Sequence, residues 1–273
     1  MNGRTSHFIM QTAIAYSATD GSVRYYKECV LNKIAIITGA SRGIGAATAQ
    51  ALSESGYKVC INYLSNKDAA NEVCSSIEAN GGVAINYQAD VSAESEVIDM
   101  FEFVNSELGT VTHLVNNVGI LFTKTEFSNI SVERFKNVLN ANVISAFLCS
   151  REFVKQSSNY GAIVNVSSAA SRTGAPFEYV DYASSKGAMD SFTKGLSLEL
   201  APKNIRVNSV RPGFIHTDIH SDGGEPNRIT RLSSQIPMNR GGTAQEVADA
   251  IVWLLSDQAS YVTGSFIDIA GGR

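Results

Sequence analysis

A tyrosine and a lysine four residues apart form the pair of side chains in this sequence that is best suited to chemistry. Tyr182 and Lys186 lie in the stretch YASSK, and residues four apart on a helix share one face. A phenol with a pKa of about 10 is a poor acid or base at neutral pH, and a neighbouring ammonium favours the phenolate and lowers that pKa. The spacing therefore predicts an acid/base pair, although a Tyr and a Lys at this spacing more often form a surface packing pair.

A second stretch, IAIITGASRGIGAATAQ, places three glycines between an apolar run and an apolar helix pattern. Gly39, Gly43 and Gly45 follow a predicted strand and open a predicted helix, which is the context that a dinucleotide-binding loop requires. The first glycine allows a tight turn, and the others let backbone amides and the helix N-terminus approach a pyrophosphate. The spacing is GxxxGxG rather than GxGxxG, so the loop needs support from the rest of the chain.

The elements that must position these residues alternate along the chain. From Lys33 onward short apolar runs alternate with longer amphipathic segments. The strand candidates are IAIITG, KVCINY, VAINYQAD, HLVNNVG, AIVNVSS, IRVNSVRPG and FIDIAGG. Strands that alternate with helices predict a parallel sheet with right-handed crossovers. The predicted fold is α/β: a single-domain Rossmann-type doubly wound parallel sheet of about seven strands, flanked by helices.

Three polar stretches end predicted strands: NNVG at residues 116–119, NVSS at residues 165–168 and RPG at residues 211–213. The stretch YASSK opens a predicted helix. Ligands of open α/β sheets bind at the carboxyl ends of the strands. These stretches and the glycine loop are therefore expected to converge on one site.

Together these motifs resemble those of the short-chain dehydrogenase/reductase family, and the resemblance covers residues 31–273. The family pattern consists of a TGxxxGxG loop, an NNAG strand end, a catalytic Ser, YxxxK and a PG loop; all but one match, and NNAG appears here as NNVG. The stretches EYVDYASSKGAMD and VTGSFIDIAGGR are similar to those of bacterial 3-oxoacyl-carrier-protein reductases and glucose dehydrogenases. The resemblance implies an NAD(P)-dependent enzyme that transfers a hydride between nicotinamide and a carbonyl or a secondary alcohol.

The resemblance also implies the catalytic residues. Tyr182 would protonate the developing alkoxide, and Ser168 would stabilise it, with Ser167 as the less favoured choice. Lys186 would in addition hydrogen-bond the hydroxyls of the nicotinamide ribose.

A fourth catalytic residue is implied in the stretch NANVISAF. Asn142 resembles the family's helix Asn whose carbonyl holds a water that links the lysine to solvent. Asn140 is the other asparagine of this stretch, and a helix-capping or solvated Asn142 is the structural alternative.

The predicted cofactor is NADP(H), with NAD(H) as the second choice. NAD enzymes usually carry a carboxylate at the end of the second strand, where this sequence has Tyr63. Arg42 lies where NADP-dependent relatives carry a basic residue that pairs with the 2′-phosphate, and a solvated loop arginine is the alternative. The full set of predicted cofactor contacts is Gly39, Ser41, Arg42, Gly43, Ile44, Gly45, Tyr63, Ser65, Asn66, Asp90, Val91, Asn117, Gly119, Tyr182, Lys186, Pro212, Gly213, Ile215 and Thr217.

Composition limits the partners. The chain has 273 residues, 44% apolar and 18% charged, and its net charge of -4 comes from 22 basic and 26 acidic residues that are mixed along the chain. This distribution gives no footprint for nucleic acid or anionic lipid, and no apolar run reaches the length of a membrane helix. The cysteines and histidines lack ligand spacing, so we predict reduced thiols and no metal.

We expect a small-molecule carbonyl or alcohol substrate, no nucleic acid or membrane partner, and a cytoplasmic protein. The helix that carries Tyr182 continues as SSKGAMDSFTKGLSLEL, whose small residues favour close approach of a second helix. Relatives associate through equivalent helices, so a homotetramer or homodimer is expected.

Two segments lie outside these motifs. Residues 1–30 are expected to form a poorly ordered extension before the domain of residues 31–273, and a signal peptide is the less favoured alternative. Residues 216–242 follow the PG loop, and their glycines and proline suggest a mobile lid. Its charged side chains suit a polar or anionic substrate, but a solvated loop face has the same composition.

The substrate stays open at this point among a 3-oxoacyl thioester, a sugar and a small aldehyde or ketone. A function of another class is a sensor or scaffold that binds NADP without turnover. The intact Ser, Tyr and Lys count against that second class, because a binding module needs no acid/base pair.

Overall fold

The computed structural model describes residues 14–17, 23–26, 33–157 and 160–273. The chain divides into two units, residues 1–32 and residues 33–273. In the first unit, strand β1 (Ile14–Ser17) pairs antiparallel with strand β2 (Val23–Tyr26). The prediction of a poorly ordered extension over residues 1–30 falls mainly outside the described residues and stays a prediction.

The second unit contains one sheet of seven strands, and every neighbouring pair is parallel. The strands are β3 (Ile34–Ile37), β4 (Lys58–Tyr63), β5 (Val83–Gln88), β6 (His113–Asn116), β7 (Gly161–Val166), β8 (Ile205–Pro212) and β9 (Phe266–Ile269). Their order is β5-β4-β3-β6-β7-β8-β9. The predicted Rossmann-type doubly wound sheet of about seven strands is confirmed.

Helices connect the strands. They are α1 (Gly43–Glu54), α2 (Lys67–Ala79), α3 (Glu94–Glu107), α4 (Val132–Leu139), α5 (Ser145–Gln156), α6 (Ala170–Thr173), α7 (Val180–Leu200), α8 (Ile219–Asp222), α9 (Arg228–Leu232) and α10 (Ala244–Leu255). A π-helical turn, Asn140–Ile144, joins α4 to α5. Local sequence sets several helix starts; α10, for example, begins with a capping box in which the side chains of Thr243 and Glu246 each bond the other's backbone N–H.

Side chains of each strand alternate between two buried layers. In β3, Ala35 and Ile37 pack with α1, α2 and α10, while Ile34 and Ile36 pack with α3, α5 and α7. This follows from the two-residue period of a strand. Both faces of the sheet are covered, so β3 consists only of apolar residues.

The strand order reverses beside β3. The chain builds β3, β4 and β5 in one direction and then returns to place β6 on the other side of β3. The connections at the carboxyl ends of β3 and β6 therefore leave in opposite directions and open a crevice, which is where such sheets bind ligands. The glycine loop and NNVG lie at these two strand ends.

Candidate active site

Tyr182 and Lys186 lie one turn apart on α7, and the side chain of Lys186 is buried. The Lys186 Nζ is 5.7 Å from the centre of the Tyr182 ring and donates a hydrogen bond of 2.8 Å to the carbonyl of Val166, the last residue of β7. Burial lowers the pKa of Lys186 to about 8, and the nearby Asp190 carboxylate opposes this shift. The pair thus faces a strand end.

The pKa of Tyr182 shifts in the direction opposite to the one that its spacing from Lys186 predicts. Burial raises this pKa, and a hydrogen bond with the Ser168 side chain opposes the rise. The prediction is wrong because removing the phenolate from water outweighs the remaining contributions, while the Lys186 ammonium is bonded to a carbonyl. Tyr182 is therefore a protonated phenol at neutral pH, able to donate a proton.

The two serines of NVSS have different surroundings. Ser168 is half-buried, its side chain bonds Tyr182, and its Oγ accepts a hydrogen bond of 3.1 Å from the backbone N–H of Ala170. Ser167 is buried and donates instead to the backbone carbonyl of Lys186 at 3.2 Å. The structure places Ser168, and not Ser167, beside the phenol.

Asn142 is buried in the π-helical turn, whereas Asn140 is exposed. Its Oδ1 accepts from the N–H of Ile120 at 2.7 Å, and its Nδ2 donates to the Ile120 carbonyl and to the Ser185 Oγ. Ser185 donates in turn to the carbonyl of Tyr182 at 2.7 Å. Asn142 therefore holds the segment after NNVG against α7.

Gly119 brings this segment close to the lysine. The position that a Cβ of Gly119 would take is 3.2 Å from the Lys186 Nζ and 3.9 Å from the Asn142 Oδ1. Any larger residue would crowd the ammonium. Three of the predicted residues, Gly119, Asn142 and Lys186, are thus in one cluster.

The glycine loop lies tightly against NNVG. A Cβ at Gly45 would stand 2.6 Å from the Asn117 Nδ2 and 2.7 Å from the Gly39 carbonyl, so this position requires glycine. The Asn117 Nδ2 donates to the carbonyls of Thr38 and Gly39 at 2.9 and 3.1 Å. Asn117 therefore binds the loop itself, and its predicted cofactor contact stays a prediction.

A residue that the sequence reasoning missed supports the same loop. Asn62 is buried near the end of β4, and its Oδ1 accepts from the N–H of Gly39 at 3.1 Å. Its backbone carbonyl accepts from Ala40 at 2.8 Å, and its Nδ2 donates to Ala89 at 3.1 Å. The available signal was an asparagine within an otherwise apolar strand, which needs buried partners.

The first turn of α1 suits an anionic ligand. Its N-cap, Arg42, makes no side-chain cap with any described residue, and the first turn carries no acidic residue. Backbone amides at a helix start lack intrahelical partners and favour anionic oxygens. Ser41, Ile44 and the loop glycines lie at this helix start, and the methyl of Thr217 is 3.4 Å from the Cβ position of Gly43. The donors present fit a dinucleotide phosphate.

Tyr63, which the sequence predicts as a cofactor contact, is buried at the end of β4. Tyr63 is only 4% exposed and packs in the same layer as Val59 and Ile61, because alternate residues of a strand face one side. Ser65 and Asn66 are exposed, and the Asn66 Oδ1 caps α2. The two polar residues are thus the accessible ones at this strand end.

The remaining predicted contacts lie around the other strand ends. The Asp90 Oδ1 accepts from the backbone and hydroxyl of Ser92, and Val91 is buried. Pro212 ends β8, and its carbonyl accepts from the N–H of Ala169 at 2.9 Å, beside Ser168. Gly213 donates to the carbonyl of Ile269 at 2.9 Å, and Ile215 is buried.

The Arg42 side chain is partly exposed and is paired with two carboxylates. Its guanidinium donates to the Asp222 Oδ2 at 2.6 Å and lies 3.4 Å from the Asp218 Oδ2. The Arg42 side chain is 56% exposed. Both carboxylates belong to the segment that the sequence indicates as a lid.

A buried arginine anchors the middle of this segment. Arg228 is ion-paired with Glu178 and Glu225, and its guanidinium lies 4.9 Å from the Tyr179 ring and 5.5 Å from the Phe214 ring. Burial alone would raise the pKa of Glu225, but hydrogen bonds from lysine and arginine side chains, Arg228 among them, outweigh it and lower this pKa to about 2.

The other charged lid residues are also engaged. Arg231 pairs with Glu225 at 2.8 Å, and Asp222 pairs with Arg42. Burial and the Arg228 charge lower the pKa of His220, so its imidazole is neutral at neutral pH. The charged side chains of the lid thus pair with one another and with the body of the domain. Their presence therefore does not indicate an anionic substrate.

The described part of the chain offers neither a metal-binding cluster nor a membrane-spanning helix. Residues 14–17, 23–26, 33–157 and 160–273 contain no group of three or more His, Cys, Asp or Glu side chains that could hold a metal ion. Within the same ranges no helix combines the length and the apolar character needed to cross a membrane.

Comparisons with known proteins cover most of the chain. Residues 39–273 match a family model described as Enoyl-(Acyl carrier protein) reductase. The chain is 57% identical to Uncharacterized oxidoreductase YgfF of Escherichia coli (strain K12) over 245 residues, which cover 88% of this chain and 99% of that protein. It is 36% identical to the 3-oxoacyl-[acyl-carrier-protein] reductase FabG of Staphylococcus epidermidis, over 89% of this chain and 99% of the relative.

One solved structure is similar over nearly its whole length. It is the crystal structure of a blue fluorescent protein from a metagenomic library in complex with NADPH, with a TM-score of 0.82 and 30% sequence identity. The alignment covers 89% of this chain and 98% of that protein.

Proposed function

This chain belongs to the short-chain dehydrogenase/reductase family, and on that premise we propose that it reduces a carbonyl group with NADPH as the preferred cofactor. Membership of this family, supported by its oxidoreductase relatives, identifies it as an NAD(P)-dependent oxidoreductase. The observation that carries the proposal is the buried Lys186 one helical turn from a protonated Tyr182 whose hydroxyl bonds Ser168.

NADPH supplies a hydride, and the chain supplies the proton and the geometry. Tyr182 donates its phenolic proton to the developing alkoxide, because burial keeps this phenol protonated at neutral pH. Ser168 hydrogen-bonds the same oxygen. Lys186 and Asn142 hold the strand end and the NNVG segment in place, and Lys186 would bind the ribose hydroxyls of the cofactor.

The start of α1 would hold the phosphate groups of the cofactor. Its uncapped amides would bind the pyrophosphate, and Arg42 with Ser65 and Asn66 would bind the 2′-phosphate. The solved relative contains NADPH, which supports the same preference here. Tyr63 in place of a carboxylate removes the group that would favour NAD.

The substrate class is a 3-oxoacyl thioester or a small carbonyl compound, in line with the reductase relative. The described part of the chain has three free, buried cysteines, Cys60, Cys74 and Cys149, which agrees with a cytoplasmic protein. Exposed apolar residues on α5 and α7, Phe147 and Leu198, support a homotetramer or homodimer.

The test follows NADPH absorbance with acetoacetyl thioesters, aldehydes, diketones and ketoses, and NADP+ reduction with glucose. We expect turnover that favours NADPH over NADH and that falls by about a thousandfold or more in Tyr182→Phe, because general acid catalysis is lost. Tyr261→Phe, which changes an exposed tyrosine, is the matched control. Binding of NADPH without turnover of any compound would contradict the enzymatic role and favour a sensor.

A further inference from the structure

The glycine loop and the lid meet at Arg42, and the meaning of this contact rests on the proposed NADP(H) preference. Arg42 is the N-cap residue of α1, and its guanidinium bonds the carboxylate of Asp222 at 2.6 Å. Asp218 lies 3.4 Å from the same guanidinium. An arginine assigned to a cofactor phosphate is thus already held by two carboxylates.

These carboxylates belong to one short helical turn. Asp218 precedes α8 and Asp222 ends it, and the N–H of Asp222 donates to the carbonyl of Asp218 at 2.9 Å. Residues at this spacing share one helix face. Their like charges repel unless a cation lies between them, and Arg42 is that cation.

A phosphate and the two aspartates need the same donors. The guanidinium presents its N–H groups in a rigid planar fork and binds phosphate through two parallel bonds. The N–H groups engaged with Asp222 and Asp218 cannot bond a phosphate in the same way, and the carboxylates would repel a nearby dianion. Phosphate binding through two parallel bonds therefore requires the Arg42 guanidinium and the α8 carboxylates to separate.

Two glycines beside α8 provide a hinge for this movement. Gly223 and Gly224 follow α8 directly, and Arg228 fixes the next helix, α9, through Glu178 and Glu225. Gly224 has a φ of +77°, which few other residues adopt. The segment can turn between a fixed anchor and a contact made of exposed charges.

We propose that Asp218 and Asp222 compete with the 2′-phosphate of NADP(H) for Arg42, so that binding of this phosphate releases α8 while NAD(H) leaves it in contact. The two aspartates thereby set part of the NADP(H)/NAD(H) selectivity. They also make the position of the lid depend on the 2′-phosphate.

The experiment measures binding of adenosine 2′,5′-bisphosphate and of adenosine 5′-monophosphate, which differ only in the 2′-phosphate, by calorimetry. The Asp218→Asn/Asp222→Asn variant is expected to bind the bisphosphate about three- to tenfold more tightly than the wild type, as for the loss of one or two exposed ion pairs. Its affinity for the monophosphate stays the same. Asp99→Asn/Asp249→Asn also removes two negative charges, at exposed positions of α3 and α10; it is the control and changes neither affinity.

A double-mutant cycle tests whether Arg42 carries the effect. In the Arg42→Ala background the two aspartate changes are expected to give no gain in bisphosphate affinity. Hydrogen exchange gives a second readout: the α8 amides of the wild type exchange faster with the bisphosphate than with the monophosphate. Unchanged affinity in the Asn variant, or a gain that persists without Arg42, would overturn the proposal.

The cofactor proposal fails in a different way. If Arg42→Ala keeps the wild-type preference for the bisphosphate, or if the wild type has no such preference, the assignment of Arg42 to the phosphate is wrong. If Arg42→Ala loses the preference while the Asn variant behaves as the wild type, only the competition with the lid is wrong.

Discussion

Ionisable side chains are buried at both ends of the parallel strands. We call the side of the sheet where the strands end the carboxyl edge and the side where they begin the amino edge. The groups that the ionisable side chains bond differ between the two. At the carboxyl edge, Tyr182 is a half-buried residue whose hydroxyl bonds another side chain, Ser168. At the amino edge, Arg206 donates to the carbonyls of Leu254, Leu255 and Ser256 at 2.5, 3.1 and 3.0 Å. These carbonyls end α10 or follow it.

His113 completes the amino edge. It is buried, its Nδ1 is 2.8 Å from the Thr112 hydroxyl, and its ring also bonds the Leu255 carbonyl. Burial and the charges of Lys33 and Arg206 lower its pKa to about 3. A neutral imidazole satisfies the contact with the Leu255 carbonyl by donating to it, and its Nδ1 lies beside the Thr112 hydroxyl.

A strong pKa shift is therefore not sufficient evidence of a functional site. His113 is shifted further than Lys186, yet its partners are a helix end and a neighbouring hydroxyl. Cations that bond the last carbonyls of a helix stabilise it. The side chains at the amino edge thus stabilise the C-terminal end of α10, whereas the carboxyl edge carries a proton donor at a strand end.

Lys186→Met should have the largest effect on this comparison, with kcat falling by about a hundredfold because the ammonium beside the phenol and the ribose is lost. Its folded pKa of about 8 lies below the usual value of 10.5. Between these pH values the unfolded chain holds a proton that the folded chain has released, so the free energy of unfolding rises with pH. The variant loses this rise.

The measurement combines steady-state kinetics with urea unfolding between pH 8 and 10.5. Lys194→Met, an exposed lysine on the same helix, is the control and keeps both the activity and the rise. A Lys186→Met enzyme with wild-type kcat would show that the two edges do not differ as proposed.

Arg206→Met should lower the free energy of unfolding by about 2 to 4 kcal/mol, because several buried carbonyls lose a charged donor. Its kcat for the folded fraction should stay at the wild-type value, since Arg206 lies at the opposite edge of the sheet. Denaturant unfolding and active-site-normalised kinetics check both statements. Arg151→Met, which removes an ion pair to Glu94 on the surface, should cost less than about 1 kcal/mol.

His113→Gln should have the smallest effect per pH unit, and its signature is a change in how stability depends on pH in acid. Because the folded pKa of about 3 lies below the usual 6.5, the unfolded chain alone binds a proton between these values, and stability falls as the pH falls. In the variant, the free energy of unfolding should therefore fall less steeply with falling pH, by up to about 1.4 kcal/mol per pH unit.

The check is the difference between variant and wild type in urea unfolding from pH 6.5 down towards 3. His216→Gln, which changes an exposed histidine, is the control. Equal slopes for His113→Gln and the wild type would mean that His113 takes up its proton in the folded state.

Much of this protein follows from its sequence. Short apolar runs that alternate with amphipathic segments determine a parallel sheet with helices on both faces, because each element must bury its apolar side. The glycines of residues 39–45 and the spacing of Tyr182 and Lys186 are local properties of a turn and of a helix. Since residues close together in the chain set both features, the sequence alone predicts them, whereas Ser168 is favoured by the resemblance of the NVSS motif to that of the family.

Only the tertiary structure decided how these residues are bonded. The sequence places Arg42 in a loop, but the lid aspartates that hold it are about 180 residues away in the chain. The pKa of Tyr182 rises because folding removes its phenol from water, a cost that helix spacing does not contain. The support that Asn62 gives the loop was missed, and Arg228 was interpreted only as one of the lid charges. The reason is the same for both: burial and partners that are distant in sequence exist only once the chain has folded.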